Sequence, residues 1–122
     1  MLNLDTHILI HALQGGLNDD ERLLLSEHQW SIASIVLWEL AKLKQLGRIT
    51  IDLDDRDVNQ CLDRLHVWPL SLAIARTSTH LDFSGDPADE LIAATSVVNH
   101  VPLVTRDARI RVSKVVPFAA SS

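Results

Sequence analysis

The stretch Met1-Leu2-Asn3-Leu4-Asp5-Thr6-His7-Ile8-Leu9-Ile10-His11-Ala12-Leu13-Gln14-Gly15-Gly16 decides how the chain is read. Its first four residues form a short, mostly apolar extended segment, Thr6 to Leu13 reads as a helix, and the Gly15-Gly16 pair closes it. A strand that passes directly into a helix opens an α/β pattern. Downstream the alternation repeats. Helices are expected over Asp19 to Glu27, Ile35 to Leu46 (stopped by Gly47), Asp54 to Leu65, Ser71 to His80, and from Asp86-Pro87 to Asn99. Strands are expected around Trp30 to Ala33, His66 to Leu70, Leu103 to Thr105 and Val115 to Pro117. Strands separated by helices run parallel through right-handed crossovers, so the expected fold class is α/β, a parallel sheet of about five strands flanked by helices.

Nothing in the composition disturbs that reading. The 122 residues are 47% hydrophobic and 22% charged, with 4 Gly and 4 Pro and no repeat or linker-like tract, so residues 1–122 are expected to form one domain. The single Cys61 has no partner for a disulfide, and no Cys/His spacing resembles a zinc finger. A reducing, cytoplasmic setting follows as the expectation. No apolar run approaches the ~18 residues needed to span a bilayer, and no basic segment precedes the first strand. With 11 Lys+Arg against 16 Asp+Glu the net charge is −5, which argues against holding nucleic acid by overall attraction. It leaves room for a metal-assisted nuclease, because bound cations offset clustered carboxylates locally.

In open parallel sheets, sites form at the carboxyl ends of the strands. Four acids stand at such ends or on helix positions where acids are unexpected. Asp5 directly follows the first strand, where it is either a helix cap or a ligand. Glu39 falls between Leu43 and Leu46 on the face that Val36 and Leu40 also occupy, so a carboxylate points where a Leu belongs. A buried charge needs a cation, a proton or a metal beside it. Asp89 lies in the first turn of a nearly apolar, hence central, helix, on a face shared with Ile92, Ala93 and Ser96. There it could also complete a capping arrangement with Asp86 as N-cap and Pro87 at the first helical position. Asp107 follows the strand Leu103-Val104-Thr105 and could equally be a turn residue. Taken together, the four approach one location with the oxygen donors that hard divalent cations prefer. A metal held there would activate an attacking water and stabilise a leaving oxygen, as phosphodiester cleavage requires.

Four pieces in this order resemble a PIN domain, specifically the VapC-type ribonuclease toxins of toxin–antitoxin pairs. They are Leu4-Asp5-Thr6-His7, Ser34 to Leu40 with Trp38-Glu39-Leu40, Asp86-Pro87-Ala88-Asp89-Glu90-Leu91-Ile92-Ala93-Ala94-Thr95, and Leu103-Val104-Thr105-Arg106-Asp107. The resemblance implies a three-layer PIN-like sandwich and a metal-dependent endoribonuclease. Its acids are Asp5, Glu39, Asp89 and Asp107, its cofactor is Mg²⁺ or Mn²⁺, and Thr105 supplies a hydroxyl near the site. It further implies a homodimer, an RNA substrate and a cognate small antitoxin that blocks the groove. Thr6 and Asp86, inside the matching pieces, are candidate supporting residues. Glu90 departs from the pattern, standing where many relatives carry Arg.

Other residues carry less. His7 and His11 share a helix face and are expected to be partly exposed, while the remaining His have no common spacing. Trp30, Trp38 and Trp68 sit among apolar residues as core or interface anchors. The Asp52, Asp54, Asp55, Asp57 run reads as a solvated helix start. Arg106, Arg109 and Arg111 cluster around the last acid, where Arg106 and Arg109 could meet an RNA backbone or simply line a solvated face. Two rival functions stay open. A Mg²⁺-binding phosphoacceptor domain would carry paired acids after the first strand and a Lys directly before a Pro, neither of which is met. A catalytically inert binding module would keep the acids as structure.

Overall fold

The computed structural model describes residues 1–119. Leu2, Asn3 and Leu4 are all buried and form β1 (Leu2–Leu4), from which the chain enters α1 (Thr6–Gln14). Helix α1 ends on Gly15 in the left-handed region, at φ 81°. Its neighbour Gly16 is held to glycine for a second reason: a Cβ there would stand 2.5 Å from His11 Nδ1. The order continues α2 (Asp19–Ser26), β2 (Trp30–Ala33), α3 (Ile35–Gln45), α4 (Arg56–Asp63), β3 (His66–Trp68) and α5 (Leu72–Ser78). It finishes with α6 (Pro87–Asn99), β4 (Leu103–Val104) and the short α7 (Ala108–Arg111).

The strands pair in the order β3-β2-β1-β4, parallel throughout. Asn3 lies opposite Ser31 on one side and Leu103 on the other. Parallel pairing therefore brings the carboxyl ends of β1, β2 and β4 to one edge of the sheet. The core packs Leu4, Ile8, Leu9, Ile32, Val36, Leu40, Ile92, Leu103 and Val104 between the sheet and its helices. Helix α6 is central, as its apolar run predicts, with Ile92 through Ser96 all buried. Among the described residues no helix is long and apolar enough to cross a membrane.

Three expectations are corrected. Among the described residues the sheet has four strands rather than about five, because Val115 to Pro117 does not form one. The N–H groups of Val115 and Val116 donate to Ser113 Oγ at 3.2 and 3.1 Å, and Pro117 has none, so the segment has few donors left for a ladder. What remains is a single parallel bridge between Leu103 and Phe118. The apolar face of α3 is also shorter than its pattern suggests: Val36 and Leu40 are buried, but Leu46 lies beyond the helix and is exposed. Finally, of the two readings of Trp38, core or interface anchor, its 57% exposure removes the first, whereas Trp30 and Trp68 are half-buried.

Candidate active site

Asp5 leaves the end of β1 and is 4% exposed. It is the N-cap of α1, and both of its oxygens are engaged: Oδ1 accepts from Thr6 N at 2.8 Å and Oδ2 from Thr105 Oγ1 at 2.6 Å. Capping and a place in the site thus coexist. Burial is the main force on its pKa and raises it; the bonds from Thr105 and Thr6 pull the other way. Thr105, at the end of β4, is buried, and its hydroxyl also accepts from Asp107 N at 3.1 Å. One threonine therefore fixes the first and fourth acids relative to each other.

Asp107 is the N-cap of α7, its Oδ1 accepting from Arg109 N at 2.9 Å. Glu39, half-buried on α3, accepts a short hydrogen bond from the Thr6 hydroxyl. Burial raises its pKa first, with the Asp5 charge adding to that against the Thr6 bond. The second threonine thus orients the second acid, and both supporting threonines named from the sequence touch the acids.

Asp86 and Asp89 differ from the capping expectation. Asp86 occupies the N-cap position of α6 with Pro87 behind it, yet its side chain makes no capping hydrogen bond. Asp89 reaches Arg109 Nη2 at 3.7 Å, and its side chain is 18% exposed. Its pKa is pushed up from 3.8 to about 6, first by burial and then by the charges of Asp5, Glu39 and Asp107. Each of the other three acids is thus close enough for Asp89 to feel its charge. An open cavity of 520 Å³ reaches the cluster at Glu39, which lines it together with Ile35, Trp38, Asp86, Pro87, Ala88 and Leu91.

Two structural supports escaped the sequence reading. Asn3, fully buried on β1, donates through Nδ2 to Ser96 Oγ at 2.9 Å and to Ile92 O at 3.2 Å, tying the strand that ends in Asp5 to the helix that carries Asp89. Its signal was a polar residue inside an apolar strand facing Ser96. Glu21 closes a capping box with Asn18 and also takes the Arg106 guanidinium, Nε to Oε2 at 2.8 Å with Nη2 on Oε1. Arg106 Nη2 donates in addition to Gly16 O at 3.0 Å. The Asn18-x-x-Glu21 spacing was legible; its arginine, 85 residues away, was not.

Oxygen-only donors and crowded like charges fit a hard divalent cation. Among the described residues no three His, Cys, Asp or Glu side chains stand in a geometry that would by itself hold a metal ion. That is compatible with Mg²⁺, which keeps several waters and takes one or two direct carboxylates, the others acting through its water shell.

Comparison with known proteins identifies the family and the fold. The family model described as PIN domain matches residues 3–115. The chain is 33% identical over 84 residues to Ribonuclease VapC22 of Mycobacterium tuberculosis, a match that takes in 66% of this chain and 65% of that protein. A solved toxin–antitoxin complex from Klebsiella pneumoniae superposes with TM-score 0.69 at 21% identity, covering 89% of this chain and 88% of its counterpart. VapBC2 from Rickettsia felis, solved bound to a DNA fragment from its promoter, gives 0.68 at 21% identity over 98% of each chain. At such identity the likeness is one of fold, an α/β sheet flanked by helices.

Proposed function

The chain belongs to the PIN domain family, and from that premise we propose that it is a metal-dependent endoribonuclease, the toxin of a toxin–antitoxin pair. One observation carries this reading: Asp5, Glu39, Asp89 and Asp107 come from separate elements and are linked into one cluster, Thr6 bonding Asp5 and Glu39, Thr105 bonding Asp5 and Asp107, and Arg109 lying 3.5 Å from Asp107 and 3.7 Å from Asp89. Such crowding is unfavourable without a cation, and a structural role would not demand it. The likeness to Ribonuclease VapC22 supports the substrate class. The family match also leaves the phosphoacceptor reading without support.

In this reading the four acids hold Mg²⁺ or Mn²⁺, which when bound supplies an activated water and relief of charge on the leaving oxygen. The chain's own residues do the positioning. Thr105 locks Asp5 against Asp107, Thr6 turns Glu39 toward the cluster, and Asn3 keeps α6 in place beneath Asp89. Asp86, uncommitted as a cap, is free to bind through water. Arg109, on the rim, is the better placed of the two arginines to meet an RNA phosphate, since Arg106 is held by Glu21. A net charge of −5 means RNA affinity comes from the metal and such local contacts.

The partners are those that the likeness to toxin–antitoxin complexes suggests. A small antitoxin would place a basic side chain among the carboxylates and lay apolar residues on the exposed surface around Trp38, Leu37 and Leu70. Two copies of the chain would form a homodimer, and the protein, a single domain, would work in the cytoplasm. Incubating purified protein with total RNA, with and without Mg²⁺ or Mn²⁺ and beside Asp5→Asn, tests the reaction class. Discrete fragments that disappear with chelator and in the variant are expected. RNA left intact under every metal condition would instead leave the inert binding module.

A further inference from the structure

Three arginines follow Thr105, and they are employed differently. Arg106 is bound by Glu21 and Gly16. Arg111 donates from Nη1 to Thr105 O at 3.1 Å and lies over the Phe118 ring, 5.3 Å from its centroid. Arg109 instead sends Nη2 to 3.5 Å from Asp107 Oδ2 and 3.7 Å from Asp89 Oδ2. Its guanidinium thus ion-pairs with two of the four acids, which come from different elements.

We propose that Arg109 is an internal counter-ion of the site: its guanidinium holds the gap between Asp89 and Asp107 in the metal-free protein, gives way to the divalent cation, and then meets a phosphate of the RNA. This rests on the metal-dependent reading above. Three features support it. The root of the side chain is fixed, because Arg109 N donates to Asp107 Oδ1 at 2.9 Å in the first turn of α7. Its head is loose: the side chain is 63% exposed and both charge contacts are longer than a guanidinium–carboxylate hydrogen bond. A loosely paired, exposed cation contributes little to the fold and is displaced readily by a doubly charged ion. Lastly, a guanidinium moved off two carboxylates remains within a side chain's length of them, where a phosphate oxygen offers the same planar, paired acceptor geometry. Two further titratable groups face this cluster: His7, whose charge acts on Asp5 and Glu39, and Asp86, whose charge acts on Glu39 and Asp89 and adds to the negative charge the guanidinium offsets.

The test is a calorimetric Mn²⁺ titration of the metal-free chain at low salt, comparing the parent with Arg109→Gln and Arg109→Lys. Arg64→Gln, an exposed charge removed at the end of α4, is the control. Removing the competing cation should tighten Mn²⁺ binding about three- to fivefold in Arg109→Gln. Arg109→Lys should stay near the parent, and Arg64→Gln should not move. At saturating Mn²⁺, Arg109→Gln should raise the KM for RNA. Tighter metal together with weaker RNA is a pairing that a purely structural ion pair would not produce. Mn²⁺ affinity that is unchanged or weaker in Arg109→Gln, or equally tightened in Arg64→Gln, overturns the counter-ion role while the metal reading stands. A parent chain that takes up no Mn²⁺ overturns both.

Discussion

Asp5 and Asp89 are both carboxylates held above their ordinary pKa, yet they are mounted in different ways. Asp5 follows a strand paired on both sides, and each of its oxygens accepts a hydrogen bond. Asp89 sits in the first turn of α6 with a loose ion pair to Arg109 as its polar contact among the described residues. Burial dominates at Asp5, where neighbouring charge is a minor influence. At Asp89 burial again leads, but the three other acids follow directly behind it. One acid is thus part of the frame and the other reads the charge of the whole cluster. Rigid mounting supplies geometry, and loose mounting supplies a group that can adjust to a ligand.

The largest effect expected from this contrast is on activity. Asp5→Asn, Asp89→Asn and Glu39→Gln should each lower RNA cleavage by at least about a thousandfold, since a neutral amide is a poor ligand for a hard cation and metal catalysis supplies several kcal/mol. Stability separates the two mountings. In metal-free buffer Asp89→Asn and Glu39→Gln should melt at or above the parental temperature, because each removes a charge from a crowded cluster. Asp5→Asn should gain less, having lost an acceptor for Thr6 N or Thr105 Oγ1. An Asp89→Asn protein that melts well below the parent would make that acid structural.

Next in size is the threonine that joins the first and fourth acids. Thr105→Ala leaves a buried Asp5 oxygen without its donor and should cost about 1–3 kcal/mol in urea denaturation, with Thr105→Ser recovering most of it. An equal loss in both variants would assign the effect to the lost methyl group rather than the hydroxyl.

The smallest effect is a pH dependence. Asp5, Glu39 and Asp89 have raised pKa values in the folded protein, so the native state binds protons more readily than the unfolded chain. Their contribution is complete below the unfolded carboxylate range and disappears as pH rises through the folded values, about 6 for Asp89. Metal-free protein should therefore lose on the order of 1–2 kcal/mol between about pH 5 and pH 7. Glu21, whose pKa Arg106 lowers, acts in the opposite direction, but below this window. Saturating Mn²⁺ should flatten the slope, and a slope unchanged by metal would dissociate the raised acids from the metal site.

Much of this site was legible because its signals are local. An acid after each of two strands and a carboxylate at a helical interval among leucines are patterns within a few residues, and they survive in Asp5, Asp107 and Glu39. The Asn18-Glu21 capping box carries an equally local signal, an Asn followed three residues later by a Glu, which the sequence analysis passes over. Pairings across the chain were not legible. Arg106 reads from the sequence only as a basic residue beside the last acid, whereas its guanidinium lies on Glu21, and Asn3 reads as an ordinary strand residue although it holds Ser96. The last strand was misread because periodicity reports apolar character but not where backbone donors go, and Ser113 takes those of Val115 and Val116.

The position of β1 also bears on how the site can be switched off. Its amides are held from two directions, Leu2 N by Gln29 O, Asn3 N by Pro102 O and Asp5 N by Val104 O. Hydrogen exchange at Asn3 and Asp5 should accordingly be among the slowest in the chain and proceed only through global opening, whereas the four-residue α7 should exchange through local fraying. Partial unfolding therefore reaches Asp107 and Arg109 long before it reaches Asp5. Loosening of the segment from Thr105 to Arg111 would thus displace Asp107 and Arg109 while Asp5 stays in place.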